Sequence, residues 1–164
     1  MSDEKKATSD GEAAGCLMWE LTVAAIIERN GRYLVVEETD GSPERVFNQP
    51  AGHVEPGEAI LDAVRREVRE ETGLAFTPEA LVGIYQLRAR NGKDYCRLCF
   101  RGSVPGDAEA APEDPQILGC RWLSREELAA APLRSGLVLR CVDDARAGLA
   151  YPLSLVSELR RERG

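Results

Sequence analysis

The sequence predicts an α+β domain in which helices pack against a mixed β-sheet. Several segments have the β-rich composition or the alternation of apolar and polar residues that is typical of strands. Three others have the periodicity or the capping signals of helices. The strand segments precede, separate and follow the helical ones, which favours a mixed sheet with helices packed on it.

The first two strands are predicted at residues 21–28 and 32–38, on either side of Asn30-Gly31. Asn-Gly between two β-rich segments is a strong signal for a tight hairpin. A short extended segment is predicted at residues 46–49. Prolines and glycines then indicate a tight loop; they are Pro50, Gly52, Pro56 and Gly57.

A second hairpin is predicted from residues 81–88 and 95–104, with its turn near Asn91-Gly92. The segment at residues 106–115 is acidic and rich in alanine and proline, so we expect a loop there. A further strand is predicted at residues 117–123.

Three helices are predicted. Residues 58–72 form about four turns, which Gly73 ends as a C-terminal cap. Ser124 begins a second helix, because Ser124 and Glu127 have the spacing of a capping box. The last helix covers residues 136–147.

The 164 residues have the length of one compact domain. We expect that domain at residues 17–155, between a disordered lead-in at 1–16 and a C-terminal tail at 156–164. The lead-in lacks the apolar run of a secretory signal, and no segment reaches the roughly 20 apolar residues that cross a bilayer. These features predict a cytoplasmic protein with no membrane partner.

Charge and thiols limit the possible partners. A net charge of −7 repels a phosphate backbone, so no nucleic-acid partner is expected. A small anionic substrate is compatible with that charge if a divalent cation lies between the substrate and the protein.

The five cysteines are expected to be reduced. Cys96 and Cys99 form a C-x-x-C, but they should point to opposite faces of a strand, which argues against a shared metal.

The predicted helix at residues 58–72 carries three carboxylates within one turn: Glu67, Glu70 and Glu71. At about 100° per residue, Glu71 falls inside the apolar stripe and Glu67 falls beside it. The stripe holds Ile60, Ala63, Val64 and Val68, and the solvent side holds Asp62, Arg65, Arg66 and Arg69. A solvated charge run is the usual reason for clustered glutamates, but carboxylates aimed inward need a cation. Magnesium or manganese explains them better.

Arg66 can reach Asp62 and Glu70, four residues away on either side, or swing back towards Glu58. One interpretation is an ion pair on the helix surface, which contributes less than about 1 kcal/mol. The other is that Arg66 holds a ligand carboxylate in one rotamer. Its position beside the carboxylates favours the second interpretation.

The segment that begins at Gly52 resembles a known family motif. The Nudix box is matched at every specified position. The matching residues are Gly52, then Glu58 after five intervening residues, and then residues 66–74 after seven more. Other segments resemble the NudJ subgroup of bacterial phosphatases in that family; they are residues 35–39, 47–53, 120–122, 133–135 and 151–153. Where such enzymes usually have tryptophan before Asn-Gln-Pro, this chain has Phe47, which keeps an aromatic face without the indole donor.

The resemblance implies an α/β/α sandwich in which the box forms a loop-helix-loop metal site. It implies Mg²⁺, with Mn²⁺ as a possible substitute, held by Glu67, Glu70 and Glu71. A backbone carbonyl at Ala51 or Gly52 would complete the metal ligands.

The resemblance also implies the catalytic set. Glu67 is the first candidate for the general base, Glu70 is the second, and Glu113 in the acidic loop is the third. Arg66 and Glu58 complete the predicted catalytic residues.

Five residues are predicted to bind substrate; they are Phe47, Gln49, Tyr95, Arg97 and Arg134. Phe47 and Tyr95 are candidates for stacking on a ring, as are Tyr85 and Trp122, although core packing is the commoner role of such aromatics.

The predicted roles of the polar candidates each have a structural alternative. Arg97 could bind a phosphate through its planar guanidinium or face solvent from its strand. Arg134 lies at a predicted helix start, where anions bind, although capping by Ser135 would also explain that position. His53 is expected to make a structural hydrogen bond near Glu55 rather than to act as an acid or base.

These features predict a hydrolase of nucleoside di- or triphosphates or of a comparable small diphosphate, either monomeric or homodimeric. The NudJ resemblance adds hydroxymethylpyrimidine diphosphate as a candidate substrate and orthophosphate as the released product. One alternative is a catalytically silent Nudix-fold binding or regulatory domain, but such domains typically lose box carboxylates. The other is an isopentenyl-diphosphate isomerase, which needs more metal-binding histidines than the single one present.

Overall fold

The computed structural model describes residues 18–39 and 43–159, and the predicted lead-in at 1–16 lies outside them. Its strands are β1 (Trp19–Arg29), β2 (Arg32–Thr39), β3 (Arg45–Asn48), β4 (Ala51–His53), β5 (Thr77–Arg88), β6 (Asp94–Ser103) and β7 (Gly119–Ser124). Its helices are α1 (Ile60–Thr72), α2 (Arg125–Ala130) and α3 (Leu137–Arg146), and a 3₁₀ turn follows at Leu153–Leu155. No helix in this part of the chain is long and apolar enough to span a membrane.

The seven strands form one mixed sheet whose main path runs β3-β2-β1-β6-β5. β4 pairs with β1, and β7 pairs with β2. β1 runs parallel to β6 and antiparallel to β4, whereas β2 runs antiparallel to both β3 and β7. β1 and β2 pair only beside their turn, where Asn30 and Gly31 have the positive φ angles that a two-residue hairpin needs. The predicted first hairpin is confirmed.

β1 is the centre of the core, because residues 22–27 are all buried. One face of β1 packs on α1 and the other on α3, which gives the predicted α/β/α layers. The first core contains Val23, Ala25 and Ile27 with Ala63, Val64 and Val68, and the second contains Ala24 and Ile26 with Val138, Cys141 and Val142. Cys96 packs against the first core and Cys99 lies in the second, so these thiols point to opposite faces as expected.

β4 corrects the prediction that only a loop joins the short extended segment to α1. This three-residue strand pairs with residues 22–24 of β1. A strand of that length has too few positions to show a period of two, so only its partner reveals it. Several boundaries also differ: α1 begins at Ile60 rather than at residue 58, β5 at Thr77 rather than at residue 81, and β7 at Gly119 rather than at residue 117.

The C-terminal end of α1 is fixed to the acidic loop. Gly73 caps the helix with φ 71° and donates a 2.7 Å hydrogen bond to the Arg69 carbonyl. The backbone N–H of Ala111 donates to the Thr72 carbonyl at 2.8 Å. The Ala111 carbonyl oxygen lies where a Cβ atom on Gly73 would have to go. Both the positive φ and this close approach require glycine.

Gly73→Ala is therefore expected to lower the free energy of unfolding by about 1–2 kcal/mol or more, because it adds a steric clash to the cost of a left-handed alanine. Gly136→Ala is the matched control, since Gly136 has a helical φ of −62° and no atom lies within 4 Å of the position that an alanine methyl group would take there. Urea unfolding of both variants measures the difference. Equal stabilities would contradict this account of the α1 cap.

Candidate active site

Glu67 lies over Gly52, at the point where α1 packs against β4. A Cβ atom on Gly52 would collide with the carboxylate carbon and both carboxylate oxygens of Glu67. Any other residue at this position would push the carboxylate away from the strand. Gly52 therefore contributes to the site by leaving room for Glu67.

Glu71 follows one turn later on α1, and only 7% of it is exposed. Its Oε2 accepts a 2.8 Å hydrogen bond from the backbone N–H of Ala51. Burial raises the pKa of Glu71 to about 9, and burial also raises the pKa of Glu67. Both side chains point into the protein, as the helix projection predicted, and both favour a proton or a cation over a bare negative charge.

Arg66 joins three carboxylates to the loop that precedes α1. Its Nε and Nη2 donate to Glu58 at 2.7 and 2.9 Å. Its Nη1 donates to Glu67 Oε1 at 2.7 Å and to Glu70 Oε2 at 3.1 Å, and Nη2 also donates to the His53 carbonyl at 2.9 Å. These hydrogen bonds lower the pKa of Glu58 and hold the Glu67 carboxylate in one orientation.

The prediction that Arg66 lies on the solvent side of α1 is wrong. Only 19% of its side chain is exposed, because the guanidinium folds back along the helix towards Glu58. Asp62, which was a candidate partner for Arg66, pairs with Arg65 instead at 3.0 Å. The contacts support the interpretation of Arg66 as the residue that orients a carboxylate.

Glu70 is more accessible, with 40% of its side chain exposed. Its backbone carbonyl accepts 2.8 Å hydrogen bonds from the N–H groups of Glu113 and Asp114, which bring the acidic loop to α1, while Glu113 itself is exposed. Asp114 and Glu38 of β2 add negative charge near Glu71 and contribute to its raised pKa. Sequence reasoning missed Glu38 and Asp114, because nothing in their spacing from the box signals proximity.

These carboxylates fit a divalent cation that shares its coordination with a substrate. Within residues 18–39 and 43–159, no group of three or more His, Cys, Asp or Glu side chains is arranged so that it could hold a metal ion. Arg66 donates to one oxygen of Glu67, and the Ala51 N–H donates to one oxygen of Glu71. The second oxygen of each carboxylate has no hydrogen-bond donor among the described residues. Mg²⁺ usually takes one or two carboxylates together with water and substrate phosphate, so this donor set suits it.

Two of the predicted substrate residues, Gln49 and Arg97, come together on the opposite face of the sheet. Gln49 Nε2 donates to Cys99 Sγ at 3.5 Å, and Arg97 lies two residues before Cys99 on β6. Thr22 of β1 is the register partner of Arg97. Thr22 was not predicted, since a threonine within a strand is ordinary and carries no functional signal.

The other predicted substrate residues lie apart from this group. Phe47 is partly buried against the second core, and its backbone carbonyl accepts from the N–H of Arg134. The Arg134 side chain pairs with Glu38 at 3.6 Å. The rings of Tyr95 and His53 have centroids 6.1 Å apart. Substrate binding by Phe47, Tyr95 and Arg134 stays a prediction.

The remaining candidates have structural partners, and the partner of His53 is not the expected neighbour in its own turn. Tyr85 donates to Asp144 at 2.9 Å, the guanidinium carbon of Arg29 lies 4.5 Å from the Trp122 ring centroid, and His53 Nε2 lies 3.3 Å from Glu20 Oε2.

Comparison with known proteins agrees with this geometry. The family model described as the NUDIX domain matches residues 18–140. The chain is 36% identical over 139 residues to a curated relative, the phosphatase NudJ of Escherichia coli strain K12; the match covers 84% of this chain and 90% of that protein.

Solved structures give the same result. A NUDIX hydrolase from Nitrosomonas europaea has a TM-score of 0.82 and 41% identity, with coverage of 87% of this chain and 98% of that one. The Escherichia coli ORF135 protein has a TM-score of 0.67 and 28% identity, with coverage of 80% and 94%. Because the domain match spans most of the chain and is supported by similarity in both sequence and fold, this protein belongs to the Nudix hydrolase family.

Proposed function

We propose that this Nudix hydrolase uses Mg²⁺, or Mn²⁺ in its place, to cleave a phosphoanhydride bond in a nucleoside di- or triphosphate or a related small diphosphate. The buried pair of carboxylates beside β4 carries this proposal. Glu67 and Glu71 are 9% and 7% exposed, and Glu71 has no ion-pair partner among the described residues. A divalent cation held by Glu67 and Glu71 would offset the cost of their burial.

Each residue of the pair is held so that one oxygen stays available. Arg66 fixes Glu67 through Oε1, and the Ala51 N–H fixes Glu71 through Oε2. When bound, the metal would polarise the phosphate oxygens and lower the pKa of the attacking water. Glu67 is the first candidate for the general base, because Arg66 holds its carboxylate in one orientation. Glu70 and then Glu113 follow.

Similarity to the phosphatase NudJ supports orthophosphate as the product. The same similarity supports hydroxymethylpyrimidine diphosphate as a candidate substrate beside the nucleotides. We propose that the partner is a small phosphorylated metabolite rather than nucleic acid or a membrane. A monomer or homodimer and a cytoplasmic location stay predictions.

The two alternatives fit the residues less well. A silent binding domain has no need to keep all three glutamates of the box, and here Arg66 holds one of them in place. An isomerase needs several histidine ligands, whereas the single histidine, His53, is exposed and faces Glu20.

Glu71→Gln is expected to fold normally and to lose about 100-fold or more in Mg²⁺-dependent kcat, because the amide cannot neutralise a cation. Asp62→Asn is the matched control, since it removes the same charge from the exposed face of α1, where the Asp62 carboxylate pairs with Arg65. Phosphate release at saturating Mg²⁺ measures both variants. A near-normal rate for Glu71→Gln would refute the role assigned to this carboxylate.

The same variant tests the burial of Glu71 without metal. The folded-state pKa of about 9 lies above the ordinary value of 4.5, so the folded chain holds the proton more tightly than the unfolded chain does. Stability in EDTA should therefore fall as pH rises between these values, and Glu71→Gln removes that dependence. The variant's advantage in urea unfolding should grow from about pH 5 to about pH 9. An advantage that is constant over this range would argue against the buried carboxylate.

Product analysis tests the proposed reaction directly. A panel of nucleoside di- and triphosphates and hydroxymethylpyrimidine diphosphate should release orthophosphate when Mg²⁺ is present and none in EDTA. Chromatography that separates orthophosphate from pyrophosphate is the measurement. Pyrophosphate as the sole product from a nucleoside triphosphate would overturn the proposed cleavage position.

A further inference from the structure

Three polar side chains on the α3 side of the sheet contain buried atoms that lack a hydrogen-bond partner among the described residues. These atoms are Thr22 Oγ1, Gln49 Oε1, and Nε and Nη1 of Arg97. Thr22 is 4% exposed and Gln49 is 1% exposed. Unpaired buried polar groups cost free energy, and several of them at one place indicate a polar ligand.

The three side chains converge on one part of the sheet. Thr22 and Arg97 are register partners on the adjacent strands β1 and β6. Gln49 reaches Cys99, which lies two residues beyond Arg97 and hence on the same face of β6. We refer to Thr22, Gln49 and Arg97 as the Arg97 cluster.

The charge of Arg97 decides what kind of ligand fits. Arg66 contacts three carboxylates, whereas no described carboxylate pairs with Arg97, although the chain has 28 acidic residues. Arg97 carries a positive guanidinium, and its Nε and Nη1 are buried without a described hydrogen-bond partner. A neutral ligand would leave the charge uncompensated, while an oxyanion would neutralise it and accept from its N–H groups.

We infer that the Arg97 cluster binds a phosphate group of the substrate. Arg97 and the Thr22 hydroxyl donate to the phosphate oxygens. A half turn of the Gln49 carboxamide presents Nε2 as a further donor and leaves Oε1 towards Cys99.

The position of the Arg97 cluster indicates which phosphate of the substrate it binds. This step rests on the proposed function. Gln49 lies only two residues before Ala51, whose N–H holds Glu71. The segment at residues 49–51 therefore separates the cluster from the carboxylates at β4. The cluster holds the phosphate that stays on the leaving part, while Glu67 and Glu71 face the phosphate that is hydrolysed. The preferred substrates are then those whose leaving part keeps a phosphate.

Thermal unfolding of the full chain in EDTA, with and without inorganic phosphate, tests the anion site apart from catalysis. Phosphate should raise the Tm of the wild type, and Arg97→Met should abolish that shift. Without phosphate, Arg97→Met should have an unchanged or higher Tm, because it removes a guanidinium whose Nε and Nη1 are buried without a described partner. Arg101→Met is the control: Arg101 is exposed on the same face of β6, and its loss should leave the phosphate shift intact.

Gln49→Glu tests the inference independently if Arg97→Met does not fold. The new carboxylate would supply Arg97 with a counter-charge inside the protein. Its ligand-free Tm should rise, and phosphate should no longer raise it further. A lower ligand-free Tm with an intact phosphate shift in either variant would overturn the inference.

Steady-state kinetics with Mg²⁺ and a nucleoside diphosphate supply the second readout. Arg97→Met should raise KM about tenfold or more, as expected for a lost charged hydrogen bond, with a smaller change in kcat. An unchanged KM would overturn the inference. A wild type that binds phosphate in EDTA but hydrolyses nothing would contradict only the proposed function, and hydrolysis without the phosphate shift would contradict only the Arg97 site.

Discussion

The contact between α1 and β4 is the interaction on which the site depends. Gly52 lets the Glu67 carboxylate approach the strand, and the Ala51 N–H holds Glu71 one helical turn away. Two carboxylates are thereby buried between a helix and a short strand, where burial raises the pKa of both. A fold that keeps them there gives up stability that a bound cation would restore.

Two arginines illustrate how the chain distributes charge. Arg66 has its donors taken by Glu58, Glu67 and Glu70, so it serves the structure by fixing carboxylates. Arg97 lies on the other side of the sheet, and its Nε and Nη1 are buried with no hydrogen-bond partner in the part of the chain that the structure describes. The donors of Arg66 are satisfied within the fold, so Arg66 is a positioning residue. The buried donors of Arg97 are not, so Arg97 is suited to bind an external anion.

The sequence predicted elements that depend on neighbours in the chain. The Asn30-Gly31 hairpin, the α1 cap at Gly73 and the inward direction of Glu71 all follow from local turn chemistry or helical periodicity. β4 was missed because three residues show no period, and its strand conformation depends on β1. The prediction that Arg66 faces solvent failed because a helical projection gives only the direction of the Cα–Cβ bond. In a long side chain, the contacts of the guanidinium decide where it lies.

By itself, the sequence determined the layered α+β fold, the Nudix family and the cluster of glutamates on one helix, because hydrophobic periodicity and motif spacing are properties of a continuous segment. Only the tertiary structure brought Glu38 and Asp114 near Glu71 and set Thr22 beside Arg97. These residues are far apart in the chain, and strand register with loop attachment decides their proximity. No local pattern encodes that pairing, since it arises when distant segments bury a common core.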